Sequence, residues 1–158
     1  MELTKRFKKV GGGYVDVVAH TLEIMKSWPN VEIHIGTDSQ NMGDETVYVT
    51  VIAYRYNTRG VHYIYCKEKT QRINTGNIDS DLWRRLWKEA ELAIEVANWF
   101  TTKINVPVQI DMDYNEDQFW KSNQLIQAAS GWAQSLGYKV NVKPGIQIAT
   151  KAADYQCR

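Results

Sequence analysis

Apolar residues at Val15, Val18, Leu22 and Met25 recur at helical spacing, and Trp28-Pro29-Asn30 closes the segment. The pattern predicts a first helix which, with the basic stretch before it, occupies residues 1–28 and packs on the rest. The period then changes to two. Val31, Ile33 and Ile35 alternate with Glu32 and His34, which predicts a strand with Gly36-Thr37-Asp38-Ser39-Gln40 at its far end. A turn-rich stretch from Asn41 to Glu45 precedes the β-branched and aromatic run Thr46–Tyr56, predicted to return antiparallel. After a turn at Asn57-Thr58-Arg59-Gly60, Val61–Cys66 completes a three-stranded meander. From Lys67 to Ser80 the pattern is lost, and Lys67, Lys69 and Arg72 fall in what reads as a basic, mobile connection.

Ser80 or Asp79 is positioned to cap the next and longest helix, whose stripe Leu82, Leu86, Ala93, Val96, Ala97 and Phe100 runs to about Trp99. Val108, Ile110 and Met112 alternate with Gln109, Asp111 and Asp113 in a fourth strand. Leu125, Ile126, Ala129, Trp132, Ala133 and Leu136 belong to another helix, stopped by Gly137. Tyr138, Val140 and Val142 make a fifth strand, and Ala149–Gln156 a short last helix. Three meander strands followed by alternating helices and strands give an α/β fold, a five-stranded mixed sheet flanked by helices. No repeat, low-complexity segment or linker divides the chain, so residues 1–158 read as a single domain.

Composition narrows the function. Nineteen Lys+Arg against eighteen Asp+Glu leave a net charge of +1, so attraction of a polyanion must come from a local basic patch. Cys66 and Cys157 have neither zinc-ligand nor disulfide-framework spacing, which points to a reducing, cytoplasmic setting. No signal-like or membrane-length apolar stretch is present.

Carboxylates in strands need an explanation, because strands disfavour Asp and a buried charge is costly unless paired or bound to a cation. Asp38 follows the first strand directly, and Asp111 sits inside the fourth. Divalent Mg²⁺ or Mn²⁺ supplies one explanation, and two such ions about 4 Å apart can cleave a phosphodiester. The long helix offers Glu89, Glu91 and Glu95. Glu89 falls on the apolar stripe, where a charge has no packing purpose, while Glu91 and Glu95 point away. Asp154, among Ala149, Ala152 and Ala153, is the candidate fourth acid, since small neighbours permit close approach.

Three groups of residues carry a family resemblance: Ile35-Gly36-Thr37-Asp38-Ser39-Gln40; Ile110-Asp111 followed by Lys121-Ser122-Asn123; and Gly137-Tyr138 through Lys143-Pro144 to Ala152-Ala153-Asp154. In this order, over residues 14–156, the chain resembles the YkuK-type family of predicted ribonuclease H-like nucleases. The resemblance implies a ribonuclease H-like fold and a divalent-metal centre. Its acids would be Asp38 on the first strand, Glu89 on the helix, Asp111 on the fourth strand and Asp154 on the last helix. Asp113 departs from the pattern, and either Asp111 or Asp113 can be the ligand because both project to one sheet face.

Each candidate also has a plain structural reading. Asp38 can open a turn, Glu89 can pair with Arg85 four residues earlier, Asp111 and Asp113 can line a solvated edge, and Asp154 can cap the terminus. His20, His34 and His62 are scattered, and none is assigned a role. Lys67, Lys69 and Arg72 are candidates for holding a nucleic-acid backbone, and Lys143 for approaching a phosphate. Trp83, Trp87 and Trp99 read as core, leaving Trp120 as a stacking platform if exposed.

The leading expectation is a two-metal nuclease acting on RNA, DNA or a hybrid. The alternative is a non-catalytic module that binds nucleic acid or protein on the same fold, to which the near-zero charge lends weight. A strand-transferring enzyme would need additional domains to recognise specific ends.

Overall fold

The β-branched run at residues 46–56 becomes the centre of the molecule in a computed structural model that describes residues 3, 5–57, 60–114, 120–143 and 145–158, with residues 120–123 as backbone alone. Thr58-Arg59, Pro144 and the side chains of Trp120 and Lys121-Ser122-Asn123 therefore lie outside the described residues, and with them the Trp120 platform.

In chain order the elements are β1 (Lys8–Lys9), α1 (Val17–Ser27), β2 (Glu32–Met42), β3 (Glu45–Tyr56), β4 (Gly60–Gln71), α2 (Ile78–Lys103), β5 (Val108–Met112), α3 (Trp120–Ser135), β6 (Lys139–Val142) and α4 (Ala149–Cys157). The strands form one sheet in the order β1-β4-β3-β2-β5-β6. β2, β3 and β4 are the antiparallel meander, and β5 and β6 join parallel to β2 and to each other.

β3 is buried on both faces, which is why its sequence is apolar almost without alternation. Ile52 and Tyr54 join the larger core with α1, α2 and α3, while Val47, Val49, Val51 and Ala53 pack on Ala149, Ala153 and Cys157 of α4. The sheet thus separates three helices from one.

Among the described residues the sheet has six strands, not five. The extra one, β1, pairs Lys8 with Tyr65 and Lys9 with Ile64. Two residues carry no alternation to read; the buried Phe7 beside them and a turn through Gly11 at φ 66° hold them in place. β4 is longer than expected, so Lys67 and Lys69 sit in a regular strand opposite Val49 and Val47 rather than in a mobile connection. Backbone pairing to β3 extends the strand where the side chains alone show no strand pattern.

The helix ends also differ. Asn77 caps α2, accepting from the Ser80 amide at 3.0 Å, in place of Ser80 or Asp79, and the helix continues to Lys103. On α1 the buried positions are Val17 and Thr21, and Leu22 is 49% exposed. Trp99 is buried, but Trp83 is 41% exposed and stacks on Trp87, which stacks on Trp132 of α3, with ring centroids 5.4 and 5.6 Å apart. The indoles seal the edge between α2 and α3 instead of filling the core. No helix among the described residues is long and apolar enough to cross a membrane.

α4 crosses β2 at Gly36. A Cβ there would stand 2.9 Å from Thr150 Cγ2 and 3.1 Å from both Ala149 Cβ and the Asp111 carbonyl oxygen. Gly36→Ala is therefore expected to lower stability by about 1–3 kcal/mol, the usual cost of overpacking, measurable by urea titration. An unchanged midpoint would mean that α4 is not seated this closely.

Candidate functional site

Pairing of β2 with β5 sets Gly36 opposite Asp111, and the side chains beyond that pair approach one another. Alternation along β2 sends Ser39 toward α2 and Asp38 toward α4. Asp38 feels the charges of Asp154 of α4 and of Asp113. Ser39 donates its hydroxyl to Glu89 of α2, a side chain within the core whose neighbours include Asp38 and Asp113. Glu89, Asp111, Asp113 and Tyr114 line one narrow crevice, and Tyr114 donates its hydroxyl to the Leu86 carbonyl at 3.1 Å.

The electrostatics follow from crowding. Burial raises the Asp38 carboxyl to about 6; the Ser39 backbone amide opposes this, and repulsion from Asp154 and Asp113 adds to it. Glu89 lies well above the usual carboxylate range, chiefly through burial and then through Asp38, while Ser39 and Arg85 pull it back. The Cys157 thiol, against the Asp38 carbonyl at 3.6 Å, is pushed up to about 12 by burial and then by Asp38, Glu89 and Asp154.

Asp111 has a different environment. Its Oδ2 accepts from the backbone amides of Ile148 and Ala149, each at 2.8 Å, at the start of α4. Its Oδ1 is held by Asn141 Nδ2 at 2.8 Å and His34 Nδ1 at 3.0 Å. Both oxygens of this fully buried carboxylate are thus committed to seating α4, the element that carries Asp154. Of the two acids left open by the sequence, Asp113 is the one whose charge acts on both Asp38 and Glu89, and its Oδ1 pairs with Lys143 Nζ at 2.6 Å.

Asp154 also pairs with Arg158 at 2.9 Å, an exposed i,i+4 contact of little energetic weight. Among the described residues, no three His, Cys, Asp or Glu side chains form a group able to hold a metal ion. Neighbouring acids raise Asp38 and Glu89 without forming a closed ligand cage among the described residues.

Of the expected basic residues, Lys67 lies two strands from Asp38 in register through Val49 and Lys69 one step farther along, both exposed on the face that Asp38 occupies. Arg72, directly past the end of β4, donates to the Gly43 carbonyl at 3.2 Å. The sequence reading missed His34, Ser39 and Asn141. His34 occupies a polar position in an alternating strand, which looks solvent-facing until α4 covers it. Asn141 is marked only by its register opposite Asp111.

No curated protein sequence matches the chain. A family model described as Ribonuclease H-like matches residues 16–158, nearly all of it. The mixed sheet with helices on both faces agrees with that match, and the chain belongs to the ribonuclease H-like family.

Proposed function

We propose that this protein is a divalent-metal-dependent nuclease that hydrolyses phosphodiester bonds of RNA, DNA or their hybrid. The observation that carries the reading is that half-buried Asp38 on β2 feels the charges of Asp154 on α4 and of Asp113 just past β5, and buried Glu89 on α2 those of Asp38 and Asp113, so that both carboxyls are raised by burial and by neighbouring acids. Such a cluster is unfavourable by itself, and all-oxygen donors suit Mg²⁺ or Mn²⁺. Family membership supports a nucleic-acid-related activity but does not specify it, since one fold hosts many functions.

In this reading Asp38, Glu89, Asp113 and Asp154 hold the ions. When bound, the ions supply Lewis-acid stabilisation of the charge that develops as the phosphodiester is hydrolysed. Ser39 orients Glu89, and Asp111, gripping the first amides of α4, keeps Asp154 near Asp38. Lys143 neutralises Asp113 and would give it up to a bound cation. Lys67 and Lys69 flank the site as contacts for the strand. Lys143→Met should therefore tighten Mn²⁺ binding measured by calorimetry, whereas weaker binding would make Lys143 a support of the site rather than a competitor for it.

A second reading is a module that binds nucleic acid without cutting it, and the lack of a ready three-ligand group among the described residues favours it. Cleavage assays on single strands, duplexes and hybrids, with Mg²⁺, Mn²⁺ or chelator, decide between the two. Metal-dependent cleavage that Asp38→Asn abolishes supports the nuclease; binding without cleavage supports the module.

A further inference from the structure

On the α2 face, beyond Ser39, an open cleft of about 230 Å³ lies between the β2–β3 hairpin, the end of β4 and the first turns of α2. Asn41, Arg72, Asn74, Asp81 and Arg85 line it together with aliphatic side chains. Its walls are held without any ligand. The Thr46 hydroxyl donates to Asn41 Oδ1 at 2.7 Å, and the Arg72 amide donates to the Asp44 carbonyl at 2.8 Å. The cleft's one carboxylate, Asp81, accepts both the amide and the hydroxyl of Thr75, at 3.1 and 2.6 Å, so part of its charge is already engaged.

The two arginines are less well satisfied. Arg85 Nε is buried with no hydrogen-bond partner among the described residues. Arg85 also attracts Glu89, which sets the cation between the acids and the cleft. Arg72 uses one Nη for the Gly43 carbonyl, and a guanidinium has five donors in a planar fork suited to phosphate oxygens. Asn41 lies three residues past Asp38 on the same strand, roughly 10 Å at 3.3 Å per residue. That distance spans about three nucleotides at an axial rise of 3.4 Å per strand. With a net charge of only +1, the molecule must hold a polyanion through local cations of this kind.

We propose that the cleft is a phosphate subsite in which Arg85 and Arg72 grip the nucleic-acid backbone, with its Asn41 wall about three nucleotides from Asp38. The proposal rests on the nuclease reading for the identity of the strand, and it adds a contact on the opposite sheet face from Lys67 and Lys69.

The test is fluorescence anisotropy of labelled single-strand, duplex and hybrid oligonucleotides in excess EDTA over a salt series. Wild type should bind at least one of them. The double variant Arg72→Gln, Arg85→Gln should bind roughly tenfold more weakly, with the slope of log K against log salt reduced by about 0.7–0.9 per lost phosphate contact. Arg72→Gln alone, at an exposed position, should move both quantities in the same direction without disturbing the fold, and Arg72→Lys should restore the slope. Unchanged affinity and slope in both Gln variants, or no binding by wild type, overturns the subsite. Cleavage with Mn²⁺ is scored separately. Binding that depends on the arginines without any cleavage retires the nuclease and leaves the cleft standing, whereas cleavage with arginine-independent binding does the reverse.

Discussion

Asp38→Asn is expected to abolish Mn²⁺ binding and hydrolysis while raising the melting temperature of the metal-free protein. Asp38 is the acid whose protonation responds to both Asp154 and Asp113, so its removal takes a ligand from the site and relieves repulsion at once. The sign of the pH dependence follows from its raised carboxyl. Folded, it titrates at about 6, against about 3.9 unfolded, so between those values the folded state holds more protons. In chelator, stability should therefore fall as pH rises from about 4 to about 6, by about 3 kcal/mol at most, and stay level above that. Asp38→Asn should flatten this fall. A variant that melts lower than wild type in EDTA at neutral pH, or that keeps the same pH profile, would remove the case for crowded carboxylates.

Asp111→Ala is expected to have the larger effect on stability. The substitution leaves two amides at the start of α4, the Asn141 amide and the His34 ring without their acceptor in a buried place. Breaking a buried, charge-assisted network of this kind costs about 3–5 kcal/mol. Asp111→Asn keeps the shape but replaces one acceptor oxygen with a donor that faces other donors, so it should recover only part of the loss. Urea unfolding measures the cost, and proteolysis within 145–158 under native conditions reports whether α4 has come loose. If Asp111 is instead a metal ligand with no anchoring role, Asp111→Ala will lose Mn²⁺ affinity and melt close to wild type in chelator.

The two expectations show where the sequence is legible. Strand β2 and helix α2 follow from periodicity because each buries a long, regular face, and β3 follows from its unbroken β-branched and aromatic run because it is buried on both faces. Glu89 stands out locally as a charge on an apolar stripe, and Asp38 as an acid at the end of an apolar strand. The choice between Asp111 and Asp113 has no local signature. It depends on amides more than thirty residues away in the chain and on a histidine seventy-seven residues away. β1 was illegible for a related reason, since its two residues are a strand only because Tyr65 and Ile64 lie beside them. The Asn77 cap could have been read from Asn77 and Ser80, but two nearer candidates competed with it.

The seating of α4 against the far end of β2 also sets an order of assembly. Cys157 and the Asp38 carbonyl that it meets are separated by 119 positions, so this contact is among the most non-local in the chain and slow to form. On the ribosome the meander and the long helix emerge well before Asp154 does. A nascent chain, even one with most of its sheet in place, therefore lacks the fourth carboxylate of the proposed site until its last residues leave the ribosome.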